Sequence, residues 1–172
     1  MGVRDLAWTD MPALVENYWG LYEEVRENPD LGIGLFPTRP SLGEEAEWFT
    51  RMFRRVHEGT SIAAVAEEDG KAVALCNVDA KGPHLEGRHI GLLGLLVARG
   101  YRGRGIGKAL LGYTIQRCRG RFAQVELSVL ASNTVARDLY RSVGFRPWGV
   151  EPNAVLRGGR YTDLEHMVLD LR

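Results

Sequence analysis

The segment with the most evident chemistry is Tyr101-Arg102-Gly103-Arg104-Gly105-Ile106-Gly107-Lys108-Ala109. Its glycines let backbone N–H groups approach a ligand without Cβ obstruction. The residues after it carry helical periodicity, so its C-terminal end becomes a helix N-terminus, with orphan N–H donors and the positive end of a dipole. Such a junction is an oxyanion or pyrophosphate cradle, and Arg102, Arg104 and Lys108 add positive charge. A Walker loop is excluded. Arg102 stands where its first glycine belongs, and Ala109 after the lysine offers Mg²⁺ no hydroxyl. A dinucleotide fingerprint is excluded because Leu110 replaces its third glycine. The pattern R-x-x-G-x-G is met by Arg102, Gly105 and Gly107. On these six residues alone, a glycine-rich turn explains the pattern as well as a ligand cradle does.

A second constellation lies downstream: Asn133-x-x-Ala136-x-x-Leu139-Tyr140-x-x-x-Gly144-Phe145. Asn133 suits a helix N-cap and Gly144 a left-handed residue past the helix end. Tyr140 carries a phenol, ordinarily of pKa near ~10, which can serve as a proton donor. The other reading of Tyr140 is packing with Ala136 and Val143 on an inner helix face. His57, His84 and His166 lack metal-ligand spacing, so no metal is expected. Cys76 and Cys118 form no CxxC pair, which excludes a disulfide scaffold and a zinc ribbon and leaves two free thiols in or near the core.

These groups need elements to hold them. Residues 2–8 suit a short strand. Asp10 before Met11-Pro12 signals a helix start, and Leu14, Val15, Tyr18, Trp19, Tyr22 and Val25 recur at helical spacing to about Glu27. Asn28-Pro29-Asp30 breaks that helix, and Gly32, Gly34, Pro37 and Pro40 keep the next stretch irregular. Ser41 and Glu44 form a capping-box pair before a helix with Phe49, Met52, Phe53 and Val56 on one face. The Tyr18/Trp19/Tyr22 and Trp48/Phe49/Phe53 stripes suit core and pocket lining. Strands are expected at 61–67 and 71–79 around an Asp69-Gly70 turn, with Lys81-Gly82-Pro83 opening a loop. The run 89–97 suits a central strand buried on both faces, with Gly91 and Gly94 marking a bulge or a close approach. A helix over 105–119, a strand over 122–130, a helix over 133–143 and strands over 145–150 and 161–171 complete the order β-α-α-β-β-β-α-β-α-β-β.

In that order, the two motifs resemble those of the GNAT superfamily, the GCN5-related N-acetyltransferases. The resemblance is strong over about 89–171. It implies a single α/β domain over 1–172, with a mixed, mostly antiparallel sheet, a splayed parallel strand pair and about four helices. It implies acetyl-CoA as co-substrate, its pyrophosphate held by Arg102, Gly103, Arg104, Gly105, Ile106, Gly107 and Lys108. The strand end Leu95-Leu96-Val97 would pair with the pantetheine arm, Asn133 would contact the coenzyme, and Tyr140 would be the general acid. The reaction implied is direct transfer of acetyl to a primary amine, on a small molecule, an amino acid, or a protein N-terminus or lysine. A homodimer is the assembly expected. The alternative is a non-catalytic acetyl-CoA-binding sensor.

The base departs from the pattern. Many relatives place a Glu on the buried strand, whereas Gly91 to Val97 holds no carboxylate and Leu92 stands near its place. His89 lies nearby with a suitable ordinary pKa, Glu126 on the next strand could act through water, and Glu86 reads as a solvated loop acid. Water-mediated deprotonation stands equally beside His89. The stretch Arg157-Gly158-Gly159-Arg160-Tyr161-x-Asp163-Leu164-x-x-Met167 resembles the end of the phosphinothricin- and L-amino-acid-type acyltransferases. It offers Arg157 and Arg160 as either a solvated hairpin tip or an acceptor clamp for carboxylate or phosphate. The acceptor site is expected between residues 28–40 and 151–160, two long glycine- or proline-punctuated connections.

Composition agrees with one globular domain. The 172 residues are 45% hydrophobic and 26% charged. The 22 basic and 22 acidic residues cancel, which argues against nucleic acid as partner. Three of the basic residues are lysines and the rest arginines. Seven basic residues and no acid lie between Ala98 and Arg121, a local anion-attracting field. No apolar run spans a bilayer and the N-terminus lacks a signal-peptide core, so a cytoplasmic location is expected.

Overall fold

The computed structural model describes residues 1–32, 36–82 and 84–172. Within them the strands are β1 (Gly2–Asp5), β2 (Ser61–Glu68), β3 (Lys71–Ala80), β4 (Ile90–Val97), β5 (Gln124–Leu130), β6 (Arg146–Arg157) and β7 (Arg160–Asp170). The helices are α1 (Met11–Glu27), α2 (Leu42–His57), α3 (Ile106–Cys118) and α4 (Thr134–Ser142). The strands form one sheet in the order β1-β2-β3-β4-β5-β7-β6, all neighbours antiparallel except β4 and β5. The α/β architecture expected from the sequence is therefore the one observed. Gly34 and Pro83, both read as loop residues, lie outside the described residues.

Local signals explain most element ends. Ser41 Oγ accepts the Glu44 N–H at 3.3 Å, and the Glu44 carboxylate accepts the Ser41 N–H at 2.8 Å, closing the capping box. Asp69 and Gly70 take positive φ in the β2–β3 turn, as a tight hairpin requires. Asp10 stands at the N-cap position of α1, where the sequence places the helix start. Its buried carboxylate receives two Arg4 bonds and the Ala7 N–H, each at 2.8 Å, and makes no side-chain cap to α1.

The sheet buries both faces unequally. On one side α3 and α4 cover Cys76, Val78, Val125, Leu127, Val129 and Met167, with Leu110 and Leu111 fully buried between them. On the other, α1 and α2 cover Val65 and Leu75 through Leu14, Phe49 and Met52. Each such aliphatic or aromatic side chain contributes roughly 1.5–3 kcal/mol by leaving water.

The parallel pair is short. β4 meets β5 only at Ile90↔Gln124, Gly91↔Val125 and Leu92↔Glu126. Beyond that rung β4 stays with β3 and β5 stays with β7, so the two strands diverge. This corrects the expectation of a strand buried on both faces. Most of β4 is half-buried and Leu92 is 41% exposed, because the divergence leaves a gap where a neighbour would lie. Gly91 and Gly94 mark close approaches rather than a bulge. A Cβ on Gly91 would sit 2.4 Å from Val78 Cγ1, and one on Gly94 would sit 2.9 Å from Asn77 Oδ1.

The C-terminal hairpin is longer than expected. β6 continues to Arg157 and turns at Gly158-Gly159, where 151–160 reads as an open connection in the sequence. β6 is an edge strand, so Pro152 interrupts no interior ladder. The irregularity appears instead as register shifts between Pro147 and Gly149 and between Glu151 and Val155.

Candidate active site

The glycine-rich loop runs from the end of β4 into α3. Gly100, Gly103 and Gly105 take φ of 85°, 73° and 80°, and Gly105 is the N-cap. The first helical bond runs from the Ala109 N–H to the Gly105 carbonyl at 3.1 Å. The N–H groups of Ile106, Gly107 and Lys108 precede it and are free of intrahelical acceptors. Gly107 answers a different need: its Cβ would lie 3.3 Å from Leu139 Cδ2 and 3.5 Å from Val97 Cγ2. It lets the start of α3 close on β4 and α4.

The loop's cations are not all available to a ligand. Arg102 donates from Nε to the Val97 carbonyl at 2.8 Å and from both Nη atoms to the buried Glu24 carboxylate at 2.8 and 2.7 Å. Arg99 reaches the same carboxylate at 3.8 Å. Arg104 pairs with Glu68 at 2.6 Å and lies over the Tyr101 ring. Lys108 is exposed and has no charged partner among the described residues. Side chains of Arg102 and Arg104 thus fix the loop, while its amides and Lys108 remain for an anion. Glu24 was invisible to sequence reasoning, because nothing in the α1 pattern distinguishes it from the solvated acids around it.

The gap between β4 and β5 continues this cradle. From Leu93 to Val97 the β5-facing edge of β4 has no strand partner. Leu95 and Val97 pack toward the α3 side. A slender arm could hydrogen-bond to this edge as a missing strand would.

Behind the gap stands α4. Asn133 Oδ1 accepts the Ala136 N–H at 3.0 Å and so caps the helix. Tyr140 is 8% exposed and meets Phe145 edge-on with ring centroids 5.9 Å apart. Burial, reinforced by Cys76, pushes its phenol above the ordinary tyrosine range, so it stays protonated at neutral pH. Arg137 and Arg141 reach the buried Glu165 of β7 at 2.7 and 3.2 Å and pin α4 to the sheet. Burial pushes the Cys76 and Cys118 thiols up to about 12, which leaves neither as a neutral-pH nucleophile.

The opposite face of the gap is polar. Glu126, across from Leu92, holds Lys81 Nζ at 2.8 Å and Gln124 Nε2 at 2.9 Å. Two residues on, Ser128 Oγ lies 2.8 Å from His166 Nδ1, and His166 Nε2 lies 3.5 Å from Glu151. No sequence signal marks this chain, because Ser128 and His166 are brought together only by the β5–β7 register. His89 precedes β4 and is exposed, and its carbonyl accepts the Ala123 N–H at 2.8 Å. It lies about 10 Å along the strand from Leu92, on the paired side of the divergence. Glu86 is exposed in a short 3₁₀ turn.

The hairpin tip meets the α1–α2 connection. Arg157 donates to the carbonyls of Pro29 and Leu31 at 2.8 and 3.0 Å, and Arg160 pairs with Asp30. Burial without a bonded carboxylate lowers the Arg157 pKa. The two segments expected to frame an acceptor are thus joined by these contacts, apart from residues 33–35, which lie outside the described residues.

An anion cradle opening onto an unpaired strand edge calls for a long ligand with phosphates at one end and a slender arm, the requirement of an acyl-CoA transferase. The chain belongs to the acetyltransferase (GNAT) family, matched over residues 13–145, and is an acetyl-CoA-dependent N-acetyltransferase. It is similar to the L-amino acid N-acetyltransferase AaaT of Escherichia coli (strain K12), 30% identical over 60% of this chain and 64% of that protein. It is also similar to an L-methionine sulfoximine/L-methionine sulfone acetyltransferase of Pseudomonas paraeruginosa, 25% identical over 98% of this chain and 94% of that one. Among solved structures, a ribosomal-protein-alanine N-acetyltransferase from Brucella melitensis superposes with a TM-score of 0.84. It is 28% identical, with 99% of this chain and all of that one covered.

Proposed function

We propose that this enzyme acetylates the primary amine of a small, amino-acid-like acceptor. The observation that carries this is the bonding of the hairpin tip to the α1–α2 connection by Arg157 and Arg160. Among the described residues Arg157 bonds only to neutral carbonyls and meets Asp30 through longer-range attraction, so it has no bonded carboxylate and can pair with that of an acceptor, while Arg160 is bonded to Asp30. The two curated relatives described above act on amino acids or amino-acid analogues, which supports the same class.

In this reading the amides of Gly103 to Lys108, with the Lys108 ammonium, hold the pyrophosphate. The strand end Leu95-Leu96-Val97, which lacks a β5 partner and whose Val97 carbonyl is held by Arg102, takes the pantetheine arm, Asn133 contacts the coenzyme, and Arg102 and Arg104 keep the loop in shape. Acetyl-CoA supplies the activated thioester. The amine attacks its carbonyl, a tetrahedral intermediate forms, and Tyr140 protonates the departing thiolate. Protonated Cys76 and Cys118 support direct transfer without an acyl-enzyme. The exposed position of His89 gives a base role there no support.

Two coarser features extend this. No helix among the described residues is long and apolar enough to cross a membrane. Two buried, unpaired thiols suit a reducing compartment, and we place the enzyme in the cytoplasm. A homodimer would use the β6 edge, where Trp148, Val150 and Leu156 are exposed.

The test is release of free CoA across a panel of L-amino acids, L-methionine sulfone, polyamines, aminoglycosides and peptides with free N-termini. Amino acids should lead the panel, and Arg157→Gln should raise the acceptor KM with little change in KM for acetyl-CoA. Faster turnover of peptides or polyamines, with no effect of Arg157→Gln on acceptor KM, would defeat the amino-acid reading.

A further inference from the structure

We infer that Ser128, His166 and Glu151 form the proton relay that deprotonates the acceptor amine. This rests on the acetyltransferase reading above. Leu92 occupies the β4 position nearest the divergence and cannot take a proton. Its rung partner is Glu126, and Ser128 lies two residues further along β5, on the same face and about 7 Å on. Ser128 is therefore on the stretch of β5 that has left β4, and it faces away from α3 and α4, which cover Leu127 and Val129. The 2.8 Å contact from Ser128 Oγ to His166 Nδ1 and the 3.5 Å approach of Glu151 to Nε2 make a directed chain. Glu151 favours the tautomer with hydrogen on Nε2, which leaves the Nδ1 lone pair for the Ser128 hydroxyl. Trp148 lies against the ring, with centroids 5.5 Å apart, and restricts its rotation.

Among the described residues the charged groups placed near His166 are Glu151 on β6 and, by register, Glu126 beside Ser128 on β5. On its own strand Glu165 turns to the other face and is held by Arg137 and Arg141. Glu126 accepts from Lys81 on one carboxylate oxygen and from Gln124 on the other, which leaves the imidazole as the open acceptor. As the N–C bond forms, the amine proton passes to Ser128 Oγ while the Ser128 proton passes to His166 Nδ1. As the C–S bond breaks, Tyr140 gives its proton to sulfur. His166 then loses its proton to water, and Tyr140 regains one.

His166→Gln should lower kcat by roughly 10²–10⁴-fold for the fastest acceptor of the panel, with KM for acetyl-CoA unchanged. It should also remove the acidic limb of the kcat–pH profile. Ser128→Ala should lower kcat but keep that limb, and Glu126→Gln should change kcat by less than about tenfold. A limb that persists in His166→Gln and vanishes in Glu126→Gln overturns the relay in favour of Glu126. Nitrogen-15 NMR of the free enzyme gives a readout that needs no acceptor: His166 should carry its hydrogen on Nε2. An Nδ1–H tautomer overturns the relay. Absence of wild-type turnover across the whole panel is instead a failure of the acceptor assignment, and the tautomer still decides the relay.

Discussion

The packing of Tyr140 is compatible with the acid role proposed for it above. Its ring closes the core against Phe145, and burial keeps its hydroxyl protonated. Tyr140→Phe keeps the ring and its packing and removes only the proton donor. The single-turnover rate should fall by roughly 10²–10⁴-fold, with coenzyme affinity nearly unchanged. Tyr140→Ala is a poorer probe because it would open a cavity. A single-turnover rate for Tyr140→Phe equal to that of the native enzyme would make the residue a packing group alone.

At the scale of elements, the junction between β4 and α3 depends on two glycines for unlike reasons. Gly105 sits at φ 80° with open space around its Cβ position, whereas Gly107 sits against Leu139 and Val97. Gly105→Ala should fold, at a strain of about 1–3 kcal/mol, and should bind acetyl-CoA more weakly because its amide neighbours are re-aimed. Gly107→Val should lose about 1–3 kcal/mol of stability even without ligand, through overpacking. Thermal melts with and without acetyl-CoA separate the two. Native affinity in a folded Gly105→Ala variant would remove the cradle from this loop. The sequence specified this junction well, because turn chemistry is local. It was silent on Glu24 and Glu165, which hold the loop and α4 from distant elements.

Across the whole molecule, the arginine-rich stretch is less of a field than its composition implies. Acids remote in sequence meet Arg99, Arg102, Arg104 and Arg117, namely Glu24, Glu27, Glu68 and Asp5. Among the described residues of this stretch the cations left without a carboxylate partner are Lys108, beside the amides of the helix start, and Arg119 and Arg121 just past the far end of α3. The buried acids of weak acidity set a second global property. Cys76 and Cys118 move from 9.0 to about 12 on folding, and Tyr140 moves upward from 10.0. The folded chain keeps protons that the unfolded chain releases, so stability is full below about pH 9 and falls as pH rises toward 12. Each fully shifted group contributes a slope of up to about 1.4 kcal/mol per pH unit there. Urea unfolding at pH 8, 9 and 10 should show the decline, and Cys76→Ala should flatten it. A stability constant from pH 8 to 10 would contradict this burial.

The sequence by itself determined the element order, the capping box at Ser41, the cap at Asn133 and the glycine loop. These depend on side-chain period, turn residues and hydrogen bonds within a few residues. It also indicated the family, through two motifs at a fixed order. Tertiary structure alone decided where β4 leaves β5, since a parallel rung is a contact between segments separated by a helix. It decided that Arg157 and Arg160 hold the α1–α2 connection, and that β6 runs on to Arg157 as an edge. It also brought Ser128 and His166, unremarkable in the sequence, to 2.8 Å of each other across β5 and β7. Register between distant strands is fixed by the packed faces of the sheet, and no local pattern encodes it.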